Sequence, residues 1–204
     1  MTFGSVTSTS TTINIQGGSL TLNAGTIFGV TGVSIADSAN GSDIFAIINN
    51  IGTPTSRCTT GLTFGNNSSY SNCMMTINNI YSTTTGVYAA SAGALGVVST
   101  CTLNIGQIGS SLLRSTNGMI LSNNANIAAP STVLYSYITV NVDSIFGGDL
   151  ALQISDSGPT NGFGTKIVGR IGYMSSNASA NGTLNIGQGV NRTLGWFDLD
   201  LEID

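Results

Sequence analysis

The acidic residues of this chain are densest in one segment. Nine of them stand against five basic residues, a net charge of -4 in 204 residues. Four of the nine, Asp198, Asp200, Glu202 and Asp204, fall in the segment WFDLDLEID. A period of two puts them on one face of an extended strand, about 7 Å apart. Phe197, Leu199, Leu201 and Ile203 take the other face. Three roles are open to such a row. Calcium binds where several oxygens converge at about 2.3–2.6 Å, which makes Asp198, Asp200, Glu202 and Asp204 the candidate metal ligands, with another loop needed because a straight strand spreads them. A charged row also discourages uncontrolled strand pairing. The third role is to meet a neighbouring strand or subunit that carries basic residues. Carboxylates about 7 Å apart fall in the range used by inverting glycosidases, but that chemistry sets them across a cleft, flanking a sugar, and not along one strand.

Nucleophilic catalysis lacks its base. There is no His, and Lys166 is the sole lysine; it sits in GTKIVGRIGY, which reads as a strand with Lys166 and Arg170 on one side. No GxGxxG, phosphate loop or HExxH is present. No enzyme activity and no cofactor beyond a calcium ion are expected. Without His or a CxxC spacing, zinc has no ligand set.

The three cysteines suggest a different chemistry. Cys58 and Cys73 bracket CTTGLTFGNNSSYSNC, which reads as strand, loop and return, so a Cys58–Cys73 disulfide is expected, contributing about 3 kcal/mol in the chain-entropy model. Alternation also sets Cys73 with Met75 and Ile77, and Cys101 with Leu103 and Ile105, on buried faces. A Cys73–Cys101 bridge competes if those strands are neighbours, and the pairing of Cys101 stays open. In a secreted protein Asn40, Asn66, Asn67, Asn177, Asn181 and Asn191 would be glycosylation acceptors, each heading an Asn-X-Ser/Thr triplet.

The elements that position these residues are strands. β-branched residues, Gly and Asn dominate, and no helical period exceeds two turns. Asn-Gly pairs at Asn40, Asn117, Asn161 and Asn181 predict two-residue hairpins. TLNIGQ occurs at Thr102–Gln107 and again at Thr183–Gln188, with looser copies starting at Thr12, Thr21, Thr76 and Thr139. In each, aliphatic residues alternate with Thr and Asn. The starts lie 9, 55, 26, 37 and 44 residues apart by subtraction, whereas a solenoid stacks rungs at a fixed period. The expected fold is therefore a single all-β domain over residues 1–204, an antiparallel β-sandwich or irregular β-roll of short strands. An irregular β-helix is the alternative.

Composition narrows the function. Charged residues are 7% of the chain while hydrophobic ones are 41%, so solubility rests on Ser, Thr, Asn and Gly. Such a surface suits packing against copies of itself, without the mutual repulsion of a charged shell. The basic residues form no stripe that could neutralise phosphates, which argues against nucleic acid. No run of eighteen apolar residues predicts a membrane span. The first thirty residues lack the pattern of a signal peptide, consistent with a mature exported form or with assembly from the cytoplasm, as virus proteins do.

GGSLTLNAG, Gly17 to Gly25, resembles the repeats of filamentous-haemagglutinin-type secreted adhesins. That resemblance implies an extended β-rich protein of the cell surface. Charge-poor composition is also similar to that of subunits of extracellular pili, some of which lend a terminal strand to the next subunit. Phe197, Leu199, Leu201 and Ile203 are the candidate assembly strand, within terminal segments 196–204 and 11–24. The expected role is a structural subunit of an extracellular filament, pilus or surface coat, its partner being copies of itself. The alternatives are a viral or phage capsid or spike protein within a virion, and a glycan- or calcium-dependent adhesive module.

Overall fold

The computed structural model describes residues 1–64, 69–91, 99–123, 134–156, 163–177, 183–188 and 196–203. It consists of fourteen strands: β1 (Thr2–Thr7), β2 (Thr11–Gly17), β3 (Leu20–Phe28), β4 (Thr31–Ile51), β5 (Cys58–Phe64), β6 (Ser69–Ile80), β7 (Ser82–Ser91), β8 (Ser99–Ile108), β9 (Ser115–Asn123), β10 (Leu134–Asp156), β11 (Phe163–Ile171), β12 (Met174–Ser175), β13 (Leu184–Gln188) and β14 (Trp196–Ile203).

Every strand pair among the described residues is parallel. This overturns the antiparallel sandwich or roll. The strands belong to one continuous, nearly closed sheet, with which the irregular β-helix is compatible. The chain passes alternately along two walls. The first wall stacks β1, β3, the second half of β4, β6, β8, the first half of β10, β11 and β14. The second stacks β2, the first half of β4, β5, β7, β9, the second half of β10 and β13. Each circuit pairs with the next, at separations from 20 residues (Thr11 and Thr31) to 37 (Ser99 and Ser136).

The hairpin expectation fails for a local reason. Asn40–Gly41 and Asn117–Gly118 lie inside β4 and β9, where the backbone is engaged in the ladder. Asn161 and Asn181 lie outside the described residues. The glycines at positive φ include Gly52 (φ 71) and Gly109 (φ 69), each directly after the last inward isoleucine of a first-wall pass, where the chain turns to the second wall.

An eight-residue pattern builds the first wall. Leu20, Leu22, Ala24 and Ile27 point inward, and Ile44, Ala46, Ile48 and Ile51 lie in register with them. Cys73, Met75, Ile77 and Ile80 follow, then Cys101, Leu103, Ile105 and Ile108, then Ile138, Val140, Val142 and Ile145. All but the partly buried Leu20 are buried. Three inward side chains alternate, and then two residues separate the third from the fourth, which turns the strand toward the corner. A fully buried Ile or Leu contributes about 1.5–3 kcal/mol, so each pass adds a similar increment to one shared core.

A shorter pattern builds the second wall. TGVSI, TGLTF, TGVYA and NGMIL, starting at Thr31, Thr60, Thr85 and Asn117, stack in register. Val33, Leu62, Val87 and Met119 are buried, as are Ile35, Phe64, Ala89 and Leu121 two residues on. Their glycines answer the corner isoleucines. A Cβ on Gly32, Gly61, Gly86 or Gly118 would collide with Cγ2 of Ile51, Ile80, Ile108 or Ile145 respectively.

Candidate functional site

Three arrangements in this coil bring chemically distinctive residues together: the acidic strand, the paired thiols and the arginine corner. The acidic row lies on β14, which among the described residues pairs only with β11 at the edge of the first wall. The register sets Asp198 opposite Lys166, Asp200 opposite Val168 and Glu202 opposite Arg170. Two of the acidic positions therefore face two of the five basic residues across about 4.8 Å of sheet. Both Arg170 and Glu202 are exposed, where an ion pair is worth up to about 1 kcal/mol. Asp204 lies outside the described residues. Among the described residues no cluster of three or more His, Cys, Asp or Glu side chains is placed to hold a metal. Phe197, Leu199, Leu201 and Ile203 occupy β14 opposite Thr165, Ile167, Gly169 and Ile171, and the Ile203 side chain is exposed.

The thiols are placed differently from the expected bridge. All three cysteines are free and buried. Cys58 begins β5 on the second wall, whereas Cys73 lies on β6 in the first, in register with Cys101 on β8. The parallel course moves the chain onward after β5, so that the neighbour of Cys73 is Cys101 and not Cys58. The Cys73 thiol beside it, together with burial, holds the Cys101 thiol well above its ordinary pKa. Burial also raises Cys58, against a lowering hydrogen bond from the Gly29 backbone.

Of the glycosylation candidates, Asn177 is exposed, and its backbone N–H donates to Gly148 O at 3.0 Å. Asn40 lies within β4. Asn66, Asn67, Asn181 and Asn191 lie outside the described residues.

The arginine corner was hidden in the sequence. IGTPTSRC (Ile51–Cys58) and IGSSLLRS (Ile108–Ser115) form the same loop. In the first, Thr53 and Ser56 exchange backbone hydrogen bonds of 2.8 and 3.2 Å, and in the second Ser110 and Leu113 do so at 3.0 and 3.2 Å. Each loop ends in an arginine. Arg57 Nη1 donates to Arg114 O at 3.0 Å. Arg114 in turn donates to Gly147 O and Ser175 O, both at 3.0 Å, and to Ser175 Oγ at 3.1 Å. Its guanidinium lies over the Phe146 ring, 5.6 Å from the centroid. Behind it Ser82 Oγ and Ser115 Oγ are 2.6 Å apart and buried. These cations tie together corners one and two circuits apart by satisfying carbonyls that the turning backbone takes out of the ladder. The signal available in the sequence was the shared Ile-Gly start and the Arg six residues later, 57 residues apart.

Outside the first wall, polar side chains stack as well. Asn78 donates to Asn49 at 2.8 Å, Asn79 to Asn50 at 3.0 Å and Asn141 to Asn104 at 2.9 Å. Phe45, Ile47 and Met74 interrupt this surface as exposed apolar side chains. Among the described residues no helix is long and apolar enough to cross a membrane. Comparison with protein-family models, curated proteins and solved structures finds no match.

Proposed function

We propose that this chain is a structural subunit of an extracellular filament or surface coat, joined to copies of itself through β-strand contacts, with no catalytic role. One observation carries the reading. Among the described residues, the strands at the two ends of each wall are paired on one side only: β1 and β2 at one end, β14 and β13 at the other. An edge with unpaired N–H and C=O groups is a template for another strand. A nearly closed, charge-poor coil with asparagine stacks on its exterior has few charges to repel a neighbour.

The test is electron microscopy of the purified protein over a range of concentrations, combined with sedimentation. Filaments or ordered coats are the expected result. A protein that stays monomeric at every concentration tested is not a self-assembling subunit.

A further inference from the structure

The two ends of the coil match each other, and the number of passes dictates how. At one end Phe3 lies in register with Ala24, Val6 with Ile27, and Ile13 with Val33. At the other end Leu184 lies in register with Leu152, and Ile203 with Ile171. Each of these end residues terminates an inward column that is fully buried farther along. Phe3 is 42% exposed, Ile203 42% and Leu184 37%, whereas Ala24 is 2% exposed and Leu152 and Ile171 are 0%. The ends are thus core cross-sections left open to water, with Phe3 at one and the aliphatic Leu184 and Ile203 at the other.

Strand direction decides the orientation of a partner. Because every pairing is parallel, the free edges at the two ends are opposite edges of strands that run the same way. A copy stacked head to tail continues the parallel ladder. A copy related by a two-fold axis would meet it antiparallel, unlike every pairing within the chain.

The count of passes then sets the rotation. Among the described residues the first wall holds eight passes and the second seven, with β1 and β14 both on the first wall. The next pass of a continuing spiral belongs on the second wall, beside β13. A copy stacked without rotation leaves a one-strand gap there, between β13 and its own β2.

We propose that a second copy of this chain docks head to tail after about half a turn of rotation, its β1 on the edge of β13 and its β2 on the edge of β14. Phe3 and Val6 of the incoming copy then cover the column that ends at Leu184, and Ile13 covers the column that ends at Ile203. The contact is heterologous and never closes, so it generates a polar fibre. Fifteen half-circuits per subunit at about 4.8 Å per circuit give an axial advance of about 36 Å, and the orientation recurs after about 72 Å.

This proposal rests on the filament reading and specifies its joint. The test uses Phe3→Asp and Leu184→Asp, both at exposed positions, with circular dichroism and thermal melting to confirm that each remains folded. Each variant alone is expected to be monomeric, because one of its two ends is spoiled. Mixed together, the Phe3→Asp chain supplies an intact Leu184 end and the Leu184→Asp chain an intact Phe3 end, so the mixture is expected to stop at a dimer of twice the monomer mass. Helical reconstruction of wild-type fibres is expected to give a rise of about 36 Å with about 180° of rotation. Filaments that persist in either folded variant, or that show a different rise or rotation, overturn this joint and leave the filament reading standing. The absence of any wild-type assembly overturns both.

Discussion

At the scale of single residues, the corner of each circuit depends on a small side chain facing a branched one. Gly86 receives Cγ2 of Ile108 and lies against the backbone carbonyl of Gly118, with no room for a Cβ. Gly86→Ala must displace a packed isoleucine or the backbone, and overpacking of this kind costs about 1–3 kcal/mol. Gly4, with nothing within 4 Å of a Cβ, is the control: Gly4→Ala should leave the urea midpoint within a few tenths of a molar. Ala151 conforms to the same logic. It stands in the glycine column after Gly118, and the corner residue of the following circuit is Met174, in register with Ile145 and lacking a branch at Cβ. The thiols add a pH dependence. Cys101 is raised well above its ordinary value of 9.0 by the Cys73 thiol and by burial. The unfolded chain loses that proton above about pH 9 while the folded chain keeps it, so the folded state binds more protons and stability falls as pH rises. Denaturant midpoints should be flat from pH 7 to 8 and decline above about 9, and Cys101→Val should weaken the decline. A midpoint that rises with pH in this range would contradict the assignment.

At the scale of elements, alternation identified strands correctly but could not say how they pair. Leu103 and Ile105, or Val140 and Val142, point inward as their period of two requires, yet that period is the same in parallel and antiparallel sheets. The Asn-Gly pairs tipped the reading toward hairpins, although at Asn117 the pair belongs to a strand whose glycine is required by an isoleucine in the next circuit. The identical TLNIGQ segments misled as well. One lies in β8 of the first wall, and the other supplies β13 of the second. Aligning them superposed two walls and scrambled the spacing. The corner residues Ile27, Ile51, Ile80, Ile108 and Ile145 carry the circuit, at unequal separations of 24, 29, 28 and 37 residues by subtraction. The acidic row gains a partner at this scale, since β11 sets Arg170 opposite Glu202. Glu202→Lys places like charges directly across the ladder, which is destabilising by up to about 1 kcal/mol. Amide exchange should quicken over residues 196–203, with the effect shrinking in high salt. If exchange there is unchanged at low salt, the register pairing contributes nothing to the seating of β14.

At the scale of the molecule, the ladder of each circuit meets only the circuits before and after it, while Arg57 and Arg114 reach one circuit farther, so stability is close to one-dimensional. An interior pass such as β8 is paired on both sides, by β6 and β10, whereas among the described residues β1 has only β3 and β14 only β11. An end pass therefore has roughly half the ladder hydrogen bonds and half the column contacts per residue. Opening it exposes one interface, while opening β8 requires the coil to come apart. Native-state hydrogen exchange of the monomer should accordingly be graded, slowest in β6 and β8 and fastest in β1 and β14. Assembly changes that gradient in a way that separates end-to-end joining from lateral packing. When copies stack end to end, β1, β2, β13 and β14 acquire the second neighbour that interior passes already have, and their protection should rise toward that of β8. Lateral packing through the exterior patch of Phe45, Ile47 and Met74 would leave the end strands unpaired and their exchange as fast as in the monomer. End strands that exchange as slowly as β8 in the isolated monomer would contradict the one-dimensional account itself, because some further contact would have to hold them.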